Sequence, residues 1–124
     1  MLEVGNSDER FVVGSGRDLS SVPAASIDAI WSFDVFVHIN RAEVESYAPE
    51  FARVLRPGGV GVIHHGSVGG ASGGWRSNLT TEAFHEILSR SGLRPRESLS
   101  NWTDGAAVHH LRFGDLITIF IKPV

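Results

Sequence analysis

The sequence contains no cysteine. Disulfides and thiolate metal sites are thereby excluded, and nothing marks the redox compartment. No apolar run approaches the ~20 residues of a membrane-spanning helix. The opening stretch, MLEVGNSDER, lacks both the basic and the apolar region of a signal peptide. Positive charge is also short: 11 Lys and Arg face 14 Asp and Glu, a formal net charge of -3. Local basic patches aside, that balance argues against a general binder of nucleic acid or of anionic membrane. These absences make a cytoplasmic location the expectation. No internal repeat is visible.

What is present fits a soluble globular protein, with 42% hydrophobic and 20% charged residues. A chain of 124 residues is one domain, spanning 1–124. Such a domain buries roughly two-thirds of its unfolded surface, enough for one modest core.

The apolar patterning gives the order of elements. Phe11-Val12-Val13 is a short strand candidate closed by Gly14-Ser15-Gly16. Residues 26–37 form the strongest strand, and its near-continuous apolarity predicts cover on both faces. Asn40 and Glu43 then have the spacing of a capping box. Val44, Tyr47, Ala48, Phe51, Val54 and Leu55 recur at helical spacing, with Pro49 expected to kink or restart the helix. Arg56-Pro57-Gly58-Gly59 reads as the helix stop, and residues 60–65 as the next strand. The loop GSVGGASGGW lacks the Gly-Lys-Ser/Thr ending of a phosphate-binding loop. Thr80 or Thr81 caps a second helix closed by Gly92. Strands over 96–102 and 116–121 follow, close enough to pair antiparallel across a long loop. The order indicates an α/β fold with a mostly parallel sheet.

Two motifs invite a metal reading and do not sustain it. His64-His65 and His109-His110 have no neighbouring carboxylate at a spacing such as His-Glu-x-x-His, so no metal site is expected. Adjacent strand residues point to opposite faces, so at most one of His64 and His65 faces a site; His64 is the one chosen.

GRDLSSVPAASIDAIWSFDVFVHI followed by YAPEFARVLRPGGVGVIHH resembles the central and C-terminal part of a class I S-adenosylmethionine-dependent methyltransferase. WRSNLTTEAFHEILSRSGL, SNW and DLITIFIKP look like that family's last helix and terminal hairpin. The resemblance implies a Rossmann-like sheet that ends in an antiparallel hairpin. It also implies a glycine-rich turn after the first strand. Leu2-Glu3-Val4-Gly5 looks like the start of that turn, without its later glycines. The expectation is a truncated domain, in which this stretch is either coincidental or a remnant joined by an internal deletion. Loss of the family's first strand would expose an apolar edge. Self-association, as a homo-oligomer, or a chain supplying the missing N-terminal half is therefore expected.

The resemblance further implies S-adenosylmethionine as cofactor and a small-molecule acceptor. Methyl transfer from a sulfonium is an in-line displacement whose rate comes mostly from alignment, assisted where needed by a general base. In an open α/β sheet the site lies beyond the carboxyl ends of the strands. Ser15 stands where the family often has an acid facing the adenine amine, with Gly16, Arg17, Asp18 and Leu19 around the ring. Gly5, Ser32 and Phe33 complete the cofactor set, and Asp34 would lie near the methionine end or the acceptor. Plain turn chemistry is an equal reading for Ser15 and Asp18. His38 is a candidate base, or a histidine packed at the helix start. Asp34 and His64 complete the catalytic candidates. Trp75, Arg76 and Trp102 could line an acceptor pocket, or be structural. The rival reading is a catalytically inactive module kept for binding or assembly.

Overall fold

The computed structural model describes residues 11–70 and 74–124; the Gly5 stretch lies outside the described residues. Strand β1 (Ile27–Phe36) leads into helix α1 (Arg41–Val54) and strand β2 (Leu55–His65). Helix α2 (Thr81–Arg90) follows, then β3 (Arg94–Leu99), β4 (Asn101–Asp104), β5 (Ala107–His110) and β6 (Leu116–Ile121). The main sheet has the order β1-β2-β6-β3, and β4 and β5 form a separate two-stranded sheet.

The α/β class holds. β1 and β2 run parallel, as a strand–helix–strand unit requires, whereas β6 runs antiparallel to both β2 and β3. The sheet is thus mixed rather than mostly parallel among the described residues. The expected antiparallel pairing of the last strands is formed by β3 and β6. The long loop between them holds an unanticipated hairpin. Its signal was Asp104-Gly105: the Gly105 φ of 61° suits a two-residue turn between Asp104 and Ala107.

Both helices pack on one face of the sheet. α1 contributes Val44, Ala48 and Phe51, and α2 contributes Phe84, Ile87 and Leu88, to a core shared with Ile63 and Phe120. Phe51 stacks on Phe120 with ring centroids 5.9 Å apart. Phe120 in turn lies flat on Gly61, where an added Cβ would stand 2.1 Å from the ring. Only glycine permits that approach.

The helix termini divide between expectation and correction. Thr80 caps α2, its hydroxyl oxygen accepting the Ala83 amide at 3.1 Å. Gly92 (φ 86°) closes it, with the Leu93 amide returning to the Leu88 carbonyl at 3.0 Å. At α1, Asn40 holds the cap position but makes no side-chain cap hydrogen bond. Its Oδ1 instead accepts the Asn78 amide at 3.1 Å, while Asn78 Oδ1 accepts the Arg41 amide at 2.8 Å. A tertiary partner has replaced the local capping box. α1 also runs through Pro49 without interruption, giving up only the hydrogen bond that proline cannot donate.

Arg56-Pro57-Gly58-Gly59 belongs to β2, not to the end of α1. Ile27 pairs with Leu55 and Ala29 with Val60, so this segment loops away from β1. It stays attached to the other side, where the Gly58 amide donates to the Lys122 carbonyl at 2.7 Å. Phe11 takes a single bridge position, and Val12 and Val13 take none. Among the described residues β1 is covered on one face only: Trp31, Phe33 and Val35 are 68%, 42% and 52% exposed. No helix among the described residues is long and apolar enough to cross a membrane.

The covered face carries a buried polar chain. His65 Nδ1 donates to the Gly66 carbonyl at 2.8 Å, because a carbonyl can only accept. His65 Nε2 is then the acceptor for Thr118 Oγ1 at 2.6 Å. Thr118 Oγ1 accepts from Ser98 Oγ at 2.8 Å, and Ser98 Oγ accepts from His85 Nε2 at 2.9 Å. Burial pushes His65 down from its ordinary 6.5 to about 4, so it is neutral in the folded protein.

Candidate functional site

The carboxyl ends of β1 and β2 meet at an irregularity. Ser32 pairs with Ile63 and Phe36 with His65, so Phe33, Asp34 and Val35 stand opposite His64 alone. Bulges of this kind re-aim side chains at functional sites. Asp34 takes a left-handed backbone, φ 61°, uncommon for a non-glycine residue. Its amide donates to His64 Nδ1 at 3.0 Å.

That bond fixes the imidazole. With Nδ1 as acceptor, the proton of neutral His64 is on Nε2, which donates to Asp115 Oδ2 at 3.2 Å. The same oxygen accepts from Arg76 Nη2. His64 and Asp115 are each 5% exposed, so this pairing is sheltered from solvent. Phe33 stacks on the His64 ring at 4.5 Å, and the Arg76 guanidinium lies 4.8 Å from the centre of the Phe113 ring. A cavity of about 320 Å³ opens here, lined by Asp34, His64, Arg76 and Asp115 with Trp102 and residues 109–113.

The segment after Gly74 positions Arg76. Buried Ser77 donates its amide to the Val37 carbonyl at 2.7 Å and its hydroxyl to the Ile39 carbonyl at 2.5 Å. Those bonds dock it beside the turn between β1 and α1. His38, exposed in that turn, donates from Nδ1 to the Trp75 carbonyl at 3.2 Å. In neutral His38 the lone pair is therefore on Nε2.

The structure brings Phe33, Asp34 and His64 into one cluster, with His38 on the neighbouring turn. Ser32 shares the level of Ile63 in the helix-covered layer. The turn at residues 15–19 is anchored elsewhere. Leu19 donates its amide to Glu50 Oε1 at 2.9 Å, and its carbonyl accepts from Arg53 Nη2 at 2.8 Å. Glu50 and Arg53 lie late in α1, the end of the helix beside the start of β1. Arg53, then the Leu19 amide, hold the Glu50 carboxyl below its ordinary range. Ser15 Oγ accepts the amides of Arg17 and Asp18 at 3.1 and 3.2 Å, and Asp18 Oδ1 accepts the Ser20 amide at 3.2 Å. Gly16 supplies the positive φ, 84°, that this turn needs.

Asp115 was invisible in the sequence, since a lone acid before a terminal strand carries no local pattern. Arg76 was visible only as a candidate pocket lining. Adjacent to their cluster, Trp31, Phe33, Val62, Leu99, Trp102, Ile117 and Ile119 line a second, apolar cavity of about 380 Å³ on the open face.

An α/β sheet with its polar cluster beyond the parallel strand ends is the arrangement of a class I methyltransferase. Residues 2–63, half of the 124-residue chain, match the family described as methyltransferase domain. The chain belongs to that family.

Solved structures agree on the fold. A putative methyltransferase of Haloferax volcanii, in complex with the Trm112 methyltransferase activator, matches at TM-score 0.67 and 21% identity, over 98% of this chain and 65% of that one. A TehB-like SAM-dependent methyltransferase from Corynebacterium glutamicum matches at TM-score 0.63 and 21% identity, over 91% and 56%. The 1,6-didemethyltoxoflavin-N1-methyltransferase of Burkholderia thailandensis, with bound 1,6-didemethyltoxoflavin and S-adenosylhomocysteine, matches at TM-score 0.62 and 19% identity, over 93% and 51%. The chain thus spans between 51% and 65% of these structures. No curated protein matches it.

Proposed function

We propose that this chain provides the carboxyl-end floor of an S-adenosylmethionine-dependent methyl-transfer site acting on a small-molecule acceptor. The observation that carries this reading is Asp34. Its exposed carboxylate sits in a left-handed turn, on a bulge, at the end of a parallel strand.

The donor set suits a cationic ligand. Asp34 supplies an exposed negative charge, and Phe33 and Trp102 supply aromatic faces, which attract cations. The other carboxylate, Asp115, is already paired with Arg76. When bound, the cofactor supplies an electrophilic methyl on a sulfonium. Asp34 and Phe33 would hold its charged end. The turn at residues 15–19 is bonded to itself and to the end of α1 beside the start of β1, so it is not assigned to the adenine end.

His38 is the base in this proposal. Its Trp75 partner leaves Nε2 as the basic nitrogen, while both ring nitrogens of His64 are engaged. Calorimetric titration with S-adenosylhomocysteine tests the reading. Saturable heat that is lost in Asp34→Ala is expected; no heat at millimolar ligand would sink it.

The second reading, a non-catalytic binding or assembly unit, is supported by the open apolar face around Trp31 and Phe33. It expects self-association, or capture of a chain that covers this face. Light scattering at micromolar concentration separates the two: a strictly monomeric species speaks against homo-oligomeric assembly.

A further inference from the structure

Asp34 holds a left-handed backbone, φ 61°. A left-handed backbone at a non-glycine residue carries strain that surrounding contacts offset. Here the Asp34 amide donates to a side chain, His64 Nδ1, at 3.0 Å. The imidazole can accept at Nδ1 only while its proton sits on Nε2. Asp115 Oδ2, 3.2 Å from Nε2, selects that tautomer because a carboxylate can only accept. Asp115 is itself buried, and Arg76 neutralises it through the same oxygen. Phe33 stacks on the other side of the ring and limits its rotation.

We propose that Asp115 and Arg76 are positioning residues, which act through the His64 ring to hold Asp34 in its left-handed turn and so aim its carboxylate into the cleft. The inference rests on the reading of Asp34 as a site residue only for its functional consequence; the geometry it describes belongs to the free protein. It assigns His64 an orienting task. It also accounts for the burial of an arginine–carboxylate–imidazole series beside the cleft, where a purely apolar cluster would be simpler to stabilise.

The test is made on the full chain, first without any variant. Nitrogen-15 NMR should show His64 protonated on Nε2, with a coupling across the hydrogen bond from the Asp34 amide to Nδ1. Protonation on Nδ1 in the neutral ring overturns the inference outright. Hydrogen exchange then reads the coupling between residues. In Asp115→Ala the Asp34 amide should exchange at least about tenfold faster, while amides in the β2–β6 ladder keep their protection.

Asp115→Asn should restore slow exchange. Both donors share Oδ2, and an amide oxygen placed there can accept from each. Arg76→Gln should give an intermediate rate. Unchanged Asp34 exchange in a folded Asp115→Ala protein defeats the proposal, as does failure of Asp115→Asn to rescue it. S-adenosylhomocysteine titration is run on the same proteins. If none of them, including the unaltered chain, binds it, the methyl-transfer reading falls while the exchange result still decides the positioning role.

Discussion

His64 and His65 are neighbours in one strand, yet they lie in different chemical worlds. His65 points into the helix-covered face, where Phe84 packs against its ring at 4.4 Å and two neutral groups, Gly66 and Thr118, take its nitrogens. His64 points to the open face, where an aromatic ring, a backbone amide and a buried carboxylate surround it. The first arrangement removes charge from a core. The second bonds a ring to one buried carboxylate and to the amide of a backbone turn. One sheet therefore separates a helix-covered core layer from a layer of exposed aromatic and polar side chains, and the pleat of β2 is the boundary.

The comparison breaks most sharply at the aromatic rings. Phe120→Ala should cost about 3–5 kcal/mol in denaturant unfolding, because it empties the core between α1 and Gly61. Trp31→Lys on the open face should shift stability by no more than about 0.5 kcal/mol in the monomer. It should instead shift light scattering toward smaller species. Equal losses from the two changes would mean that the faces are not distinct.

The second test is acid. The folded-state value of His65 is lowered to about 4 from 6.5, so between those values the unfolded chain binds the proton first. Stability is then full above pH 6.5 and is lost as pH falls toward 4. The lost stability is on the order of 3 kcal/mol. His65→Gln should flatten that slope, measured as unfolding midpoints across pH.

Smaller effects refine the picture. Thr80→Ala should cost about 1 kcal/mol, since it removes the hydroxyl that caps the helix packed on the covered face. Arg41→Ala breaks only an exposed pair with Glu45 and should change stability by about 0.3–0.5 kcal/mol. Both are read from thermal or denaturant midpoints.

The covered layer was largely legible in the sequence. Val44, Ala48 and Phe51 at helical spacing, and the β-branched run of β6, are local signals of burial. The Thr80 cap and the Gly92 stop are also local, and both formed. Asn40 and Glu43 had equally good spacing and did not form a capping box, because Asn78, distant in sequence, bonds Asn40. The cover expected on both faces of β1 failed for a similar reason: apolarity shows that a strand could be buried, not that a partner layer lies beside it.

The strand-end cluster was legible in position but not in wiring. Asp34, His38 and His64 were picked out as residues at strand ends. The tie from Asp34 to His64 needed a bulge, and that from His64 to Asp115 needed a strand from the other end of the chain. Neither leaves a pattern in any short window. The turn at residues 15–19 shows the converse: its serine, glycine and aspartate read equally as turn or ligand chemistry, and its own amides occupy Ser15 and Asp18.

The hydrogen-bonded series from His85 to Gly66 has a direction. Since the Gly66 carbonyl can only accept, each hydroxyl along the series must point its hydrogen toward His65, and His85 must donate from Nε2. A single peptide oxygen thus dictates the tautomer of neutral His85, a ring it does not touch. Protonating His65 removes the final acceptor and turns the Thr118 hydrogen away. The series is therefore oriented from its β2 end, and its direction lasts only while His65 stays neutral.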